Sequence, residues 1–337
     1  MLGHRPPRMN ATFVPILIAN RNASIACFPT CWFLLSGQRT KVHVGQDRSN
    51  PFSVEQCRRF YSEEIRVTAP VTSAALVSAF ARIPREQFLG PPPWQLCSGV
   101  SLQAGTYRST TDVRDLYHDA LVLLKREQRL NTGQPSVVAR LLEALGLSTG
   151  MRVIHVGCGT GYYSAIIAEV IGATGTVIAF EIEPDLAALA AVNLKTFANI
   201  KVLHKDAATV DPGPANAILV NAGVTHLHPA WLSSLTPGGV LVTPFPVGRS
   251  LASRDALAVR IVRRGTEFAA SLVTVLSIYP SPTMRNPALQ SLLNASFESE
   301  ALLNLRSLRL DPHASADTCI VHTPAFCLSA RPVAATE

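Results

Sequence analysis

The stretch Val153-Ile154-His155-Val156-Gly157-Cys158-Gly159-Thr160-Gly161-Tyr162 constrains the fold more than any other part of the chain. A hydrophobic run of strand character enters a turn with three glycines, and an apolar helix-forming run follows. The glycines let the backbone turn tightly and let a ligand approach without a Cβ in the way. The start of the helix beyond them offers unpaired N–H groups. From Met151 onward, strand and helix patterns alternate. Arg152–Val156, Thr176–Glu181, Ile200–His204, Ala217–Asn221 and Val240–Pro244 read as strands. Tyr162–Ile171, Asp185–Phe197 and Pro229–Leu235 read as helices, with a turn at Pro237-Gly238-Gly239. This alternation predicts an α/β fold, Rossmann-like, with a doubly wound, mostly parallel sheet covered on both faces.

Around this core, residues 131–250, lie three further regions. Residues 1–50 are rich in turn formers and read as a poorly ordered extension. Within it an apolar run from Ala11 to Ala19 follows Arg5 and Arg8. The run holds Pro15 and lacks a small-residue cleavage site, so it is not read as a signal peptide, and Met9 or a later position is an alternative start. Residues 51–130 read as a helical cap. Val54–Tyr61 is amphipathic, Val71, Ala74, Ala75, Val77, Phe80 and Ile83 share a face, and Gly90-Pro91-Pro92-Pro93 ends regular structure. Residues 94–130 read as loops and short elements. Pro135 opens a helix to Leu145 that Gly146 closes. Residues 251–337 carry β segments at Leu257–Arg263, Leu272–Tyr279 and Thr318–Leu328 with little helix between them, either completing the sheet or appended to it.

A hydrophobic share of 47% against 16% charged residues excludes disorder throughout. The formal charge of +7 is concentrated in the first 66 residues and not around the glycine loop, so no nucleic-acid partner is expected. Neither apolar stretch in the extension reaches the ~18 residues of a membrane span, so no membrane partner is expected. The seven cysteines are odd in number, and Cys27 and Cys31 lack a second nearby pair. They read as reduced thiols without a metal, and the cytoplasm is the expected location.

Two cofactor classes use a strand, a glycine turn and a helix. A dinucleotide site wants G-x-G-x-x-G, which would need glycine where Tyr162 stands. The spacing here is G-x-G-x-G, formed by Gly157, Gly159 and Gly161 around Cys158 and Thr160. It resembles the first motif of Class I S-adenosylmethionine methyltransferases, whose loop underlies the amino-acid end of the cofactor. Glu181 ends the next strand, where a carboxylate can accept both ribose hydroxyl hydrogens, with Glu183 as its rival. Asp206-Ala207 follows the third strand, where a carboxylate can meet the adenine amino group. Asn221 ends the fourth. Ligands of open α/β sheets bind at this edge, and S-adenosyl-L-methionine is the expected cofactor.

The chain further resembles the protein-L-isoaspartate O-methyltransferase family over about residues 53–248. Arg82-Ile83-Pro84-Arg85-Glu86-Gln87-Phe88 is similar to its "vPRe.F" segment and Tyr117-His118-Asp119 to its "Y.D" element. Asn131-Thr132-Gly133-Gln134-Pro135 is similar to its "TISQP", and Gly161-Tyr162-Tyr163-Ser164-Ala165 and Leu235-Thr236-Pro237-Gly238-Gly239 to its later pattern. The resemblance implies a Class I methyltransferase fold and methyl transfer to the carboxylate of an isoaspartyl residue in a peptide or protein. It also places Gly133 where the family carries a serine between cofactor and substrate, leaving Thr132 as the nearby hydroxyl, and Asn216 where an aspartate is usual.

A carboxylate, with a pKa near ~4, is an anion at neutral pH and needs no general base. Alignment and desolvation are the enzyme's contribution. Two other readings stay open. His226, in a loop with His228 after the fourth strand, would serve as base for a different, hydroxyl acceptor, including a small molecule. Alternatively, loss of the serine at Gly133 leaves a protein that binds the cofactor without catalysis. The Asn221-Ala222-Gly223-Val224 segment lacks the D/N-P-P-Y/F motif of amino-group methyltransferases, which argues against an amino or amide acceptor.

Overall fold

The computed structural model describes residues 51–248 and 255–334. The extension, Cys27 and Cys31 among it, lies outside the described residues. The first element is α1 (Val54–Thr68), whose start is fixed by a reciprocal cap: the Ser53 side chain accepts the Gln56 N–H while the Gln56 side chain accepts the Ser53 N–H. It runs a full two turns beyond the amphipathic stretch legible in the sequence. After α2 (Ala74–Arg82), capped by Ser73, the region read as loops contains strands: β1 (Trp94–Cys97), a short helix α3 (Gly99–Ala104), β2 (Arg108–Thr110), β3 (Leu121–Lys125) and β4 (Leu130–Asn131). These form an antiparallel sheet in the order β2-β1-β3-β4. The cap is therefore mainly helical, as expected, with a small sheet added.

The core continues through α4 (Pro135–Leu145), β5 (Arg152–Val156), α5 (Tyr162–Ile171), β6 (Thr176–Glu181), α6 (Pro184–Asn193), β7 (Ile200–His204), β8 (Ala215–Val220) and α7 (Pro229–Ser234). Beyond it come β9 (Leu235–Pro246), β10 (Asp255–Arg264), β11 (Glu267–Ser277), α8 (Pro287–Glu298), β12 (Ser307–Arg309), β13 (Cys319–His322) and β14 (Cys327–Ser329). One sheet of ten strands runs β13-β14-β12-β11-β10-β9-β8-β5-β6-β7. Its β7-to-β9 half is parallel, and from β9 to β13 every pairing is antiparallel. The C-terminal segment thus extends the main sheet directly. It also carries a helix, α8, where the sequence suggested little helix.

Side-chain alternation divides the core in two. Val153, Val177, Ala179, Ala217, Leu219, Val240 and Val242 face the layer holding α1, α2, α4 and α5. Ile154, Phe180, Ile218, Val220 and Leu241 face the layer holding α7 and α8. Pro237-Gly238-Gly239, read as a turn, lies inside β9. There the pairing with β8 shifts from Ala215↔Leu235 to Ala217↔Val240, so these residues form a bulge and the strand begins at once after α7.

The strand order reverses at β5, with β6 on one side and β8 on the other. This is the switch point beside which open α/β sheets leave a crevice at their carboxyl ends.

Candidate active site

A cavity of about 990 Å³ opens at that crevice. The glycine loop forms its floor: Gly157, Cys158, Gly159 and Thr160 line it, with Tyr162 and Tyr163 from the start of α5. The Gly157 and Cys158 N–H groups both donate to the Phe180 carbonyl, which pins the loop against β6. Gly159 has φ +58°, and a Cβ there would meet no atom within 4 Å. The backbone at this point presents bare surface to open space. Gly161 serves differently: a Cβ on it would come within 2.7 Å of Leu194 Cδ1. It lets α5 start against the end of α6 and is not on the cavity wall. Cys158 is buried, which pushes its thiol pKa up; it acts as a small apolar wall.

Glu181 sits at the C-terminal end of β6, 5% exposed, on the wall beside the loop. One carboxylate oxygen accepts the Gly159 N–H at 2.7 Å; the other accepts the Ile182 and Glu183 N–H groups at 2.9 and 3.0 Å. Burial raises its pKa, and these three donors pull the other way. Glu183 also lines the cavity, but its carboxylate is engaged: Lys125 on β3 donates to it at 3.0 Å and stands 3.4 Å from Asp185. That pair ties the cap's small sheet to the loop after β6. Ile182 and Leu186 continue the wall from Glu181, and Ile182 is left 37% exposed.

Asn221, whose N–H donates to Val156, lines the cavity with Ala222. Asp206, Ala207, Gly161 and His226 are not among the lining residues. The Asp206 carboxylate accepts the Ala208 N–H, and the Ala207 carbonyl accepts the Trp231 indole N–H. His226 Nδ1 lies 3.1 Å from the Thr225 hydroxyl, and burial lowers its pKa. Asn216 is at the far end of β8, where its side chain accepts the Arg152 N–H.

The opposite wall comes from the turn between β4 and α4. Thr132, Gly133 and Gln134 line the cavity, yet the hydroxyls of Thr132 and Ser136, on either side of Gly133 in the turn, are committed. Thr132 Oγ1 accepts from the Arg85 guanidinium and from the Val122 N–H. The Ser136 hydroxyl donates to Asp119, which also accepts from the Ser136 N–H and the Gln134 side chain. Asn131 accepts the Gly133 N–H. Gly133 itself has φ +76°, and a Cβ there would stand 3.1 Å from Val138 Cγ2. The turn is held by a network: buried Arg85 donates to the carbonyls of Leu116, His118 and Ala120 as well as to Thr132. The Tyr117 hydroxyl donates to Glu86.

Two wall segments escaped the sequence reading. Leu121, Leu124, Gln128 and Leu130 come from β3, β4 and the turn between them, and Ile278, Tyr279, Pro280 and Pro282 from the segment after β11. The second is fastened to the loop after β8 by Gly223 and Thr225 N–H bonds to Tyr279 and Met284. Nothing in the spacing of either segment marks it as a site; sheet order brings them there.

Residues 106–270 match the family described as "Protein-L-isoaspartate(D-aspartate) O-methyltransferase (PCMT)". Among curated proteins, the chain is 30% identical over 188 residues to a Protein-L-isoaspartate O-methyltransferase of Methanopyrus kandleri, covering 54% of this chain and 74% of that protein. It is 36% identical over 159 residues to the protein of the same name from Anaeromyxobacter dehalogenans, covering 46% and 72%. A solved protein-L-isoaspartate O-methyltransferase superposes with TM-score 0.56 at 23% identity, over 72% of this chain and 69% of its own. The putative enzyme of that name from Plasmodium falciparum, in complex with S-adenosyl-L-homocysteine, gives 0.51 at 17% identity, over 66% and 97%. These two likenesses establish the Class I methyltransferase fold. With the sequence relatives covered over more than two thirds of their length, the chain belongs to the protein-L-isoaspartate O-methyltransferase family.

Proposed function

We propose that the chain is an S-adenosylmethionine-dependent O-methyltransferase whose acceptor is the carboxylate of a damaged, isoaspartyl residue in a peptide or protein. The observation that carries this reading is one cavity joining two walls. The glycine loop with Glu181 forms one, and the family's substrate-side turn, Thr132-Gly133-Gln134, forms the other.

The residues fit the cofactor. Gly159 leaves a cradle that any Cβ would occupy. Beside it the Glu181 carboxylate, held by three N–H groups, is placed to accept hydrogens from a pair of ribose hydroxyls. Ile182 offers an exposed apolar face to a nucleobase, whereas Asp206, which the sequence suggested for its amino group, is not on the cavity wall. When bound, the cofactor supplies an electrophilic methyl group on a sulfonium. The chain's part is to orient and desolvate. The acceptor enters as an anion, so no side chain need remove a proton. Leu121, Leu124, Leu130, Ile278, Pro280 and Pro282 surround the remaining space with apolar surface, which strips water from the carboxylate and raises its reactivity. With the Thr132 and Ser136 hydroxyls committed, backbone groups of the 132–134 turn take the positioning role.

The test is an isoaspartyl peptide incubated with methyl-labelled cofactor. The expected product is a base-labile methyl ester on that peptide and none on the matching aspartyl peptide. Transfer no greater than that of a Gly159→Asp variant would remove the reading. Cofactor binding without transfer to any acceptor would replace it with a silent binding protein.

A further inference from the structure

Among the described residues none beyond Pro282 lines the cavity, so the chemistry-bearing side chains of the last three strands are unused by the proposed reaction. We propose that His313, Cys319, His322 and Cys327 form a structural zinc site at the outer edge of the large sheet.

The four ligand atoms lie within 4.8 Å of one another. The backbone puts them there by a specific device. On β14, Cys327 and Ser329 are two residues apart and share a face. Their partners on β13 are His322 and Cys319, three residues apart, with the register shifted between Cys319 and Val321. The extra residue of this bulge brings Cys319 round to the face of His322 and Cys327, which a regular strand would deny it. His313 arrives from the segment between β12 and β13, its Nε2 3.6 Å from Cys319 Sγ.

Protonation and orientation suit a metal. His313 Nδ1 lies 2.7 Å from the Asp311 carbonyl. Facing an acceptor, that nitrogen carries the hydrogen, which leaves the Nε2 lone pair toward the sulfur. This is the outer hydrogen bond that fixes metal-binding imidazoles. The Ala316 N–H points at Cys319 Sγ at 3.4 Å, a donor to a thiolate. His322 packs edge-on to His313 at 4.8 Å, and its buried Nδ1 has no hydrogen-bond partner, so a ring nitrogen is shut off from water without use. Two sulfurs and two imidazole nitrogens, with no open position, are the donor set of a closed tetrahedral zinc site. Its bonds of ~2.0–2.3 Å set ligand atoms about 3.3–3.8 Å apart, so the donors close inward by an ångström at most. Binding releases the two thiol protons and leaves a neutral centre. The strands concerned are only three and four residues long; Leu308, Val321 and Leu328 anchor one face of them in the core, and the ion would clamp the other face of the β13–β14 hairpin to the 310–318 segment.

The full chain, purified without chelator, should carry about one zinc per chain by elemental mass spectrometry. Cobalt(II) replacing it should give the intense visible absorption of a tetrahedral thiolate site, a readout that needs no variant. Cys319→Ser and Cys327→Ser should each lose the metal, and a Cys27→Ser/Cys31→Ser double variant should keep it. Three results would overturn the proposal: reduced protein with no zinc and no cobalt spectrum, loss of metal in the Cys27/Cys31 variant alone, or a Cys319–Cys327 disulfide in freshly purified protein.

Discussion

The Glu181 carboxylate accepts the Gly159 N–H at 2.7 Å, so the acid and the glycine loop form one rigid corner of the cavity before any ligand arrives. Hydrogen bonds to a charged group are worth about 1.5–3 kcal/mol. Glu181→Gln should therefore weaken S-adenosylhomocysteine binding by roughly ten- to a hundredfold, measured by calorimetry. An unchanged affinity would show that this carboxylate does not hold the nucleoside.

Gly133 tests the opposite wall. Its φ of +76° and the 3.1 Å approach of Val138 make any side chain there strained. Gly133→Ser, although it supplies the hydroxyl usual in the family, should destabilise the fold by about 1–2 kcal/mol and should not raise transfer to an isoaspartyl peptide. A faster enzyme of undiminished melting temperature would mean that the turn rearranges to take the hydroxyl.

Arg85 is buried at 1% exposure with no carboxylate against its guanidinium; carbonyls and Thr132 take hydrogens from its two terminal nitrogens, while its buried Nε has no hydrogen-bond partner. Arg85→Met would strip the Leu116, His118 and Ala120 carbonyls of a donor, the first buried and the other two partly so, with a cost of about 1–3 kcal/mol for the buried one and less for the others. A fall in unfolding free energy of about 3 kcal/mol or more is expected. Arg85→Lys should recover little, since an ammonium lacks the planar fork. Chemical denaturation measures both.

His155 on β5 is fully buried, paired with the Ser164 hydroxyl at 2.8 Å, and burial lowers its pKa to about 4. In the unfolded chain its pKa is near ~6.5, so between these values the unfolded state binds the proton and the folded state does not. Stability from this group is fully present above pH ~6.5 and is lost as pH falls towards 4, by about 3 kcal/mol in all. Denaturation midpoints between pH 7.5 and 4 should show this slope, and His155→Asn should flatten it. A wild-type protein insensitive to pH across that window would contradict the buried neutral imidazole.

Where strong apolar runs met strong punctuation, the sequence defined elements to the residue. β5, α5, β6, β7 and α4 begin and end at the expected positions, because glycine or proline borders most of them. Pro237-Gly238-Gly239 misled for the same reason, since a bulge uses turn residues inside a strand. The small sheet of β1–β4 was illegible: strands of two to five residues are too short for a period. The site divided similarly. Gly157, Gly159 and Glu181 sit at strand ends and carry motif spacing, so they could be read locally. The Lys125–Glu183 pair, the Arg85 network and the apolar wall at 278–282 arise from long-range packing. The His313-to-Cys327 spacing crosses a bulged hairpin, and a search for paired C-x-x-C motifs passes over it.

The central claim is that a sulfonium nucleoside lies across the loop at Gly159 and the acid at Glu181. Calorimetric titration of the purified chain with S-adenosylhomocysteine tests it most directly. One site per chain is expected, with affinity falling at least about a hundredfold, or ~2.7 kcal/mol, in Gly159→Asp, whose carboxylate would enter the cradle beside Glu181. Absent binding, equal binding by the variant, or a preference for a nicotinamide dinucleotide would contradict the account.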